Sequence, residues 1–235
     1  MSAFNYNPDE PRTHCIRCGT CCMKGGPTLH WEDAVLFKKG ILKTSHVYTL
    51  RKGEMVYHNI RDTFFILQEE IIKIKGKDNK WTCMFYNHDQ RACTIYQHRP
   101  IECRLLKCWD TQELEGIFLK KLLQRKHLIN PDDPIMEILT AHEQRCSYAL
   151  LEKSVKALGG RDSENAVKKI LDLLQYDYYF RPFVTEKLKI AQGDIDFLFG
   201  RPFVTTISMF GLRVEQRGDI FWLVPDKPKK AKNEN

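Results

Sequence analysis

Eight of the nine cysteines lie within the first 108 residues, and four of them fall in one short run, Cys15-Ile-Arg-Cys18-Gly-Thr-Cys21-Cys22. A loop of this spacing can direct its thiolates toward one point, and Gly19 permits the tight turn that this requires. The side chains of adjacent residues diverge, so Cys21 and Cys22 are poorly placed to fill neighbouring corners of one tetrahedron. The run therefore indicates metal binding, and it favours two metal atoms or two sites over one.

The other four early cysteines are spread over the next part of the chain. We expect Cys83 on a strand and Cys93 in the loop that follows. Arg99-Pro100 opens a predicted helix that carries Cys103 in its first turns, and Cys108 follows. These segments can present their sulfurs to the first run, either as two four-thiolate sites or as one larger cluster. The predicted metal ligands are Cys15, Cys18, Cys21, Cys22, Cys83, Cys93, Cys103 and Cys108.

The eighth ligand has two candidates, Cys108 and Cys146. Cys108 is close in sequence to Cys103. Cys146 lies one helical turn after His142, so that these two side chains could chelate a metal from one helix face. We favour Cys108, because a lone cysteine on an amphipathic helix is most often a small buried hydrophobe. Three histidines near the cysteines have weaker claims, since isolated histidines are more often exposed or hydrogen-bonded than ligating. They are His14, His88 and His98.

Two arginines, Arg99 and Arg104, lie beside the second set of cysteines. They could donate hydrogen bonds to sulfur or offset thiolate charge, and outer-shell groups of this kind tune metal affinity and reduction potential. A role as surface or fold-stabilising charge is equally compatible with the sequence.

The cysteines are interpreted in this way because the chain has the features of a cytoplasmic protein. No stretch approaches the roughly 20 apolar residues that a membrane helix needs, and Met1–Glu10 has neither a basic start nor an apolar run. With 43% hydrophobic and 29% charged residues, the composition is that of an ordinary soluble protein. We therefore expect no membrane partner, and we expect reduced thiols that serve metal binding or redox chemistry rather than disulfides.

The net charge of +7 does not by itself indicate a nucleic-acid partner. Four thiolates around a divalent metal leave a local charge of about −2 by simple addition, so metal sites would absorb much of the surplus. Short charge runs are usually solvated, and we predict that residues 227–235 form a basic disordered tail. Its lysines are Lys227, Lys229, Lys230 and Lys232.

Periodicity and turn signals divide the chain into two structured parts. Before residue 111 we predict a helix over 30–39 that ends at Gly40, a hairpin of 47–50 with 55–57, and a hairpin of 71–75 with 81–85. After it we predict helices over 111–128, 134–158 and 163–180, and a hairpin of 212–216 with 220–224. The predicted fold class is α+β. A small cysteine-rich metal-binding module with short hairpins, residues 1–110, is followed by a mainly helical region, residues 111–226, that packs on it and ends in a β-hairpin.

Two further features of the helical region carry no functional expectation. The pentapeptide Arg-Pro-Phe-Val-Thr occurs at 181–185 and again at 201–205, and we interpret it as a repeated turn-and-anchor device. A dense group of aromatic residues is expected to pack in the core. This group is Tyr176, Tyr178, Tyr179 and Phe180.

The two cysteine motifs together resemble the YkgJ-type cysteine cluster family, described as a zinc- or iron-chelating domain. The resemblance covers about residues 12–108 and rests on Cys15-x-x-Cys18-x-x-Cys21-Cys22 and on Cys93-x-Ile95-Tyr96-x-x-Arg99-Pro100-x-x-Cys103-Arg104. Family members often continue with an aromatic residue and proline, whereas this chain has Leu105-Leu106-Lys107-Cys108-Trp109, which leaves the eighth ligand open. The resemblance implies chelation by Cys15, Cys18, Cys21, Cys22, Cys83, Cys93 and Cys103.

Three functions follow from this interpretation. The first is binding of zinc or an iron–sulfur cluster through about eight thiolates, for electron transfer or for redox or metal sensing. The second is a structural zinc module that contacts a protein partner. The third is a metal-dependent protein-modifying enzyme, because similar cysteine clusters are found with flagellin lysine methylation; no catalytic constellation is identifiable in this sequence. The spacing of Cys15, Cys18 and Cys21 repeats that of bacterial ferredoxins without their final Cys-Pro, so both zinc and iron stay open.

Overall fold

The computed structural model describes residues 13–58 and 61–226 of the 235-residue chain. Met1–Glu10 and the predicted tail over 227–235 lie outside these residues. The described strands are β1 (Val47–Leu50), β2 (Met55–His58), β3 (Thr63–Ile66), β4 (Ile71–Ile74), β5 (Tyr86–Asn87), β6 (Ala92–Cys93), β7 (Leu212–Arg217) and β8 (Ile220–Pro225). The described helices are α1 (Thr20–Met23), α2 (Ala34–Lys38), α3 (Ile101–Leu105), α4 (Gln112–Ile117), α5 (Ile135–Arg145), α6 (Tyr148–Lys156), α7 (Ser163–Leu188), α8 (Ile195–Phe199) and α9 (Phe203–Thr206).

The architecture is α+β, as the sequence predicts. The described strands form antiparallel pairs, and the C-terminal half is mainly helical and ends in the hairpin of β7 with β8. This hairpin closes around Gly218, whose φ of 58° is in the left-handed region that glycine adopts without strain. Gly40, with a φ of 69°, follows α2 as the predicted helix end. Among the described helices, none combines the length and apolar character that crossing a membrane requires.

Strand β1 pairs with β4, which corrects the predicted hairpin of 47–50 with 55–57. The register places Val47 opposite Ile74. Both strands are rich in apolar and β-branched residues and are almost completely buried, so their pairing removes a large apolar area from water. Strand β2 instead pairs with β3 to form a more exposed ribbon.

The predicted hairpin of 71–75 with 81–85 forms only beyond β4, where Met84 N donates to Lys75 O at 3.0 Å, because both edges of β4 are occupied. Residues 27–29 pair with the edge opposite β1. Leu29 N donates to Ile72 O at 2.8 Å, and Ile74 N donates to Pro27 O at 3.1 Å. The segment around Cys83 therefore contacts the chain beyond β4, through an isolated bridge with Gly76. Cys83 lies in this bridge rather than in a strand.

The predicted helix over 111–128 is too long. Helix α4 ends at Ile117, and the chain then becomes extended. Leu123 N donates to Leu29 O at 2.9 Å, and Leu122 bridges with His30. Leu123 is completely buried. Its contact with a distant segment overrides the helical periodicity of the local sequence.

The predicted helix over 134–158 is two helices, α5 and α6. Ser147 caps α6 by accepting a hydrogen bond from Leu150 N at 3.3 Å. Arg51 Nη1 donates to Cys146 O at 2.9 Å. In a continuous helix that carbonyl would accept from Leu150 N. The arginine and the capping serine together replace the helical bond, so the helix ends there.

Helix α7 is longer than the predicted 163–180 and continues through Pro182 to Leu188. Pro182 removes one helical hydrogen bond, but Arg181 anchors this stretch by donating to Gly200 O at 2.9 Å. The two copies of Arg-Pro-Phe-Val-Thr therefore differ, and the predicted repeated turn is wrong. The first copy continues α7, whereas the second begins α9 with Pro202 at its N-cap.

The aromatic group of α7 is divided between core and surface. Phe180 packs against the main core, as predicted. The exposed fractions of Tyr176, Tyr178 and Tyr179 are 37%, 36% and 42%, which corrects the prediction that they pack inside. The reason is that other side chains form the buried stripe of this helix: Ala166, Ile170, Leu173, Leu174, Asp177, Arg181 and Val184.

Two buried apolar clusters connect these elements. The first joins β1, β4 and the segment around Leu29 to α5 and α8, and it contains Cys83. The second lies between α6, α7, α9 and the terminal hairpin, and it contains Cys146. The first cluster packs the helical region on the cysteine-rich part. It also places Cys83 and Cys146 in different cores.

Asp177 is the centre of a buried polar network between α5, α7 and α9. Its carboxylate accepts hydrogen bonds from His142 Nε2 at 2.8 Å, Arg181 Nη2 at 3.1 Å and Phe203 N at 2.8 Å. Burial alone would raise the pKa of Asp177, but the hydrogen bond from His142 and the charge of Arg181 outweigh it and hold the pKa well below its ordinary value. Burial lowers the pKa of His142, which favours a neutral imidazole.

We expect Asp177→Asn to lower the free energy of unfolding by about 3–5 kcal/mol, because it leaves Arg181 buried without its anion. Asp172, on the same helix, is exposed and pairs with Arg145, so Asp172→Asn is the matched control. That control should change the free energy of unfolding by less than about 1 kcal/mol. Urea unfolding followed by circular dichroism measures both changes, and equal losses would contradict the assigned role of Asp177.

Candidate metal centre

The first cysteine run folds as a loop followed by the short helix α1, which carries Cys21 and Cys22. Gly19 precedes this helix with a φ of 80°, in the left-handed region that favours glycine. A side-chain Cβ at Gly19 would lie 2.1 Å from Tyr86 Oη. Close packing and backbone conformation therefore both require glycine here. The predicted turn at Gly19 is confirmed.

Three structural elements carry the second set of cysteines to the first. Cys83 N donates to Cys22 O at 2.7 Å, which joins the two sets directly. Tyr86, which packs on Gly19, lies opposite Cys93 in the pair of β5 with β6. Cys93 is thus in a strand rather than in the predicted loop. Cys103 lies in α3, in the helix that the sequence predicts after Arg99-Pro100.

Five cysteines interact electrostatically through their side chains, and we call them the five-thiol group. Its members are Cys21, Cys22, Cys83, Cys93 and Cys103. A hydrogen bond between their side chains lowers the pKa of Cys21 to about 6 and raises the pKa of Cys22. Burial raises the pKa of Cys83, Cys93 and Cys103, and negative charge on Cys21 raises each of them further.

Three predicted ligands are not members of the five-thiol group. Cys15, Cys18 and Cys108 all have exposed side chains. Cys18 Sγ donates to Thr20 Oγ1 at 3.3 Å. Five of the eight predicted ligands thus lie within electrostatic range of one another, but no three of their sulfurs are within 4.8 Å of one another in the described residues. The ligand role of all eight stays a prediction.

Arg99 contributes positive charge to the five-thiol group. Its guanidinium lies 3.7 Å from the centre of the Tyr96 ring, and its Nε donates to Tyr96 O at 2.9 Å. This charge lowers the pKa of Cys21 and Cys93 against the larger opposing effect of burial. Arg104 is exposed and exerts its charge on Asp33. A charge-offsetting role therefore has structural support for Arg99.

Sequence reasoning missed a carboxylate beside Cys103. Glu102 Oε2 accepts a hydrogen bond from Thr28 N at 2.7 Å, and Glu102 Oε1 lies 3.4 Å from His30 Nε2. Asp33 Oδ1 accepts from Ile101 N at 2.9 Å. These contacts hold α3 against the segment that follows the first cysteine run. Glu102 is therefore a positioning residue for Cys103.

Two kinds of histidine lie near the cysteines, one buried histidine that the sequence did not single out and three exposed histidines that it did. His30, which the sequence did not single out, is buried and donates to Lys120 O at 2.8 Å through Nδ1. No spacing in the sequence distinguishes His30 or Glu102, although Glu102 adjoins Cys103. The three histidines considered from the sequence are exposed: His14, His88 and His98.

Cys146 belongs to a separate group of side chains. Within residues 13–58 and 61–226, the group of three ligand-type residues whose ligand atoms all lie within 4.8 Å of one another is His142, Cys146 and Asp177. Asp177 already accepts from Arg181 and Phe203, and burial raises the pKa of the Cys146 thiol to about 12. This group is the polar network of the second core. Cys146 is buried, as expected for a lone helical cysteine.

The donor set of the five-thiol group suits a soft or borderline metal. Thiolates bind zinc and iron–sulfur clusters. Each thiolate that forms in this group disfavours the ionisation of its neighbours, because their charges repel. A bound cation would remove this repulsion and replace the protons. The chemistry of the residues therefore fits a zinc or iron site.

A protein-family model named CxxCxxCC, with the description "putative zinc- or iron-chelating domain", matches residues 14–147. The matched range is more than half of the 235-residue chain and includes all nine cysteines. No curated protein matches the chain, and no solved structure matches it.

We expect Glu102→Ala to weaken zinc binding by about tenfold, because outer-shell partners that orient ligands typically contribute 10–100-fold to metal affinity. Competition with a chromophoric chelator measures this change. Glu113→Ala is the matched control, since Glu113 is 51% exposed and pairs with Lys107 at the surface. Equal affinities for wild type and Glu102→Ala would show that the contacts of Glu102 do not position Cys103.

Proposed function

Since this chain belongs to the CxxCxxCC family of zinc- or iron-chelating domains, we propose that its cysteine thiolates hold zinc or an iron–sulfur cluster for electron transfer or for redox or metal sensing. The five-thiol group is the nucleus of the proposed site. The exposed cysteines of the same motifs complete it. These additional ligands are Cys15, Cys18 and Cys108.

The observation that carries this proposal is that five thiols from distant segments act electrostatically on one another. Cys22 and Cys83 are joined by a backbone hydrogen bond, and Cys93 and Cys103 arrive from a strand and a helix. One buried and three partly buried thiols whose pKa values are raised by neighbouring thiolates are a poor arrangement for ordinary packing. They are a suitable one for a cation, because metal binding removes their protons and their repulsion together.

The proposed site has one buried side and one exposed side. This difference favours an active role over a purely structural one. Cys83 is 8% exposed and belongs to the main core, whereas Cys21 is exposed. Structural zinc sites are usually closed, while electron transfer and sensing need access from solvent or from a partner. An iron–sulfur cluster would supply a reversible redox couple, and zinc would not.

Anaerobic purification with elemental analysis and an absorption spectrum tests the proposal. Wild-type protein should contain zinc, or iron with acid-labile sulfide, near stoichiometric amounts. Cys103→Ser should lose most of this metal, because Cys103 is a member of the five-thiol group. Cys146→Ser is the matched control and should retain it, since Cys146 lies in the other core.

The outcomes separate the alternatives. Zinc near stoichiometric amounts without iron or sulfide would exclude electron transfer and favour sensing or a structural zinc module. Metal retained by Cys103→Ser, or a wild-type protein that contains neither metal, would refute chelation by these cysteines.

Metal affinity should also depend steeply on pH. Burial raises the pKa of Cys83, Cys93 and Cys103, so these thiols are protonated near neutral pH and must release protons when metal binds. The apparent zinc affinity should therefore fall as pH falls, by about tenfold per pH unit for each proton released. Chelator competition between about pH 6 and pH 8 measures the slope. An affinity independent of pH over this range would contradict binding through protonated thiols.

A further inference from the structure

Helix α7 forms one wall of an open groove, and the turn of the terminal hairpin forms the other. The groove has a volume of about 880 Å³, within the range of sites that bind peptides and other small ligands. The α7 residues that line it recur at helical spacing, so they form one stripe on the surface of the helix. The lining includes Asp172, Tyr176, Tyr179, Phe180, Phe183 and Asp219.

Three aromatic side chains of this groove are exposed to solvent. The exposed fractions of Tyr176, Tyr179 and Phe183 are 37%, 42% and 58%. Tyr176 also stacks on Phe180, with the two ring centres 5.6 Å apart. A contiguous apolar surface rimmed by polar groups is typical of a binding site, because exposing such a surface to water is costly. The groove therefore has the character of a ligand or partner surface.

One end of the groove shows which ligand chemistry it can bind. Arg145 of α5 places its guanidinium 5.1 Å from the centre of the Tyr176 ring and pairs with Asp172. An aromatic face and a carboxylate thus hold one cation together. Arginine suits this arrangement, since its guanidinium is planar and weakly hydrated and can stack on a ring while it donates to a carboxylate.

The other end of the groove offers the same two groups to a ligand. Asp219 accepts a hydrogen bond from Tyr179 Oη at 3.3 Å, and none of the ion pairs between described side chains includes this carboxylate. Phe221 stacks on one face of the Tyr179 ring. Tyr179 is nevertheless exposed and lines the groove, so its other face is accessible. This end is therefore complementary in charge and shape to a guanidinium from another molecule.

We propose that the groove binds an arginine-containing peptide segment of a partner protein, with the arginine guanidinium on the Tyr179 ring and paired with Asp219. Phe183 provides apolar surface for a neighbouring side chain of the peptide. A lysine ammonium would bind more weakly, because it is a compact and strongly hydrated charge that stacks poorly on rings. The carboxylates of the groove would repel the phosphates of a nucleic acid.

Fluorescence anisotropy with the full chain tests this proposal. The probe is a short fluorescein-labelled peptide of alternating arginine and glycine, and the matched probes have lysine or leucine in place of arginine. Asp219→Asn removes the charge, and asparagine can still accept the hydrogen bond from Tyr179. Glu215→Gln is the matched control variant, because Glu215 lies on the same hairpin but already pairs with Arg213.

The arginine peptide should bind saturably to the wild type and more tightly than the lysine or leucine peptide. Asp219→Asn should weaken this binding by about tenfold, because one charge-assisted contact is lost. Tyr179→Leu should weaken it by about threefold, since leucine has no aromatic face, whereas Tyr179→Phe should stay within about twofold of the wild type. Glu215→Gln should keep wild-type affinity. Urea unfolding followed by circular dichroism verifies that each variant is folded under the binding conditions.

Four results would overturn the proposal. Equal weakening in Asp219→Asn and Glu215→Gln would show diffuse attraction between opposite charges. Tighter binding of the leucine peptide would make the groove an apolar docking surface, and tighter binding of a single-stranded oligonucleotide would make it a nucleic-acid site. The fourth is a lack of saturable binding of the arginine peptide at concentrations up to about 1 mM. Because these measurements involve no metal, their failure is distinguishable from a failure of the proposed metal binding.

Discussion

The candidate site depends on the occupation of both edges of β4. Strand β1 pairs with one edge, and residues 27–29 pair with the other. The first cysteine run ends just before residue 27, and Cys83 follows β4 closely in sequence. Backbone groups inside the fold must find partners, so this arrangement brings the two segments together until Cys83 N reaches Cys22 O. The backbone contact between the two cysteine sets is thus a consequence of strand pairing in the main core.

The strand pairings illustrate which parts of a fold local sequence can predict. The terminal hairpin was predictable, because Arg217-Gly218-Asp219 encodes its turn and its two strands are adjacent. The pairing of β1 with β4 was not, because it depends on competition among several apolar segments that are far apart in sequence. The break between α5 and α6 has the same cause. Arg51, distant in the chain, takes the carbonyl of Cys146 and ends the helix there.

The candidate site was partly predictable for a related reason. Cysteines are rare and their spacing is specific, so the motifs pointed to all five members of the five-thiol group. Glu102 is a common residue type on exposed surfaces, and nothing in its spacing separates it from a solvated charge. Its significance comes from its contacts with Thr28 and His30, which only the three-dimensional arrangement supplies.

A cysteine inside the range that the family model matches need not belong to the candidate site, and Cys146 is an example. The matched range includes all nine cysteines, yet Cys146 lies in the second core, apart from the five-thiol group. Its neighbour Asp177 is balanced by Arg181, so this network is electrostatically complete with a neutral thiol. The five-thiol group differs, because a thiolate on Cys21 raises the pKa of Cys83, Cys93 and Cys103, and the charge of Arg99 opposes this effect only in part. The two groups contain similar ligand types, and the balance of charge around them is the reason why the proposed function uses the five-thiol group.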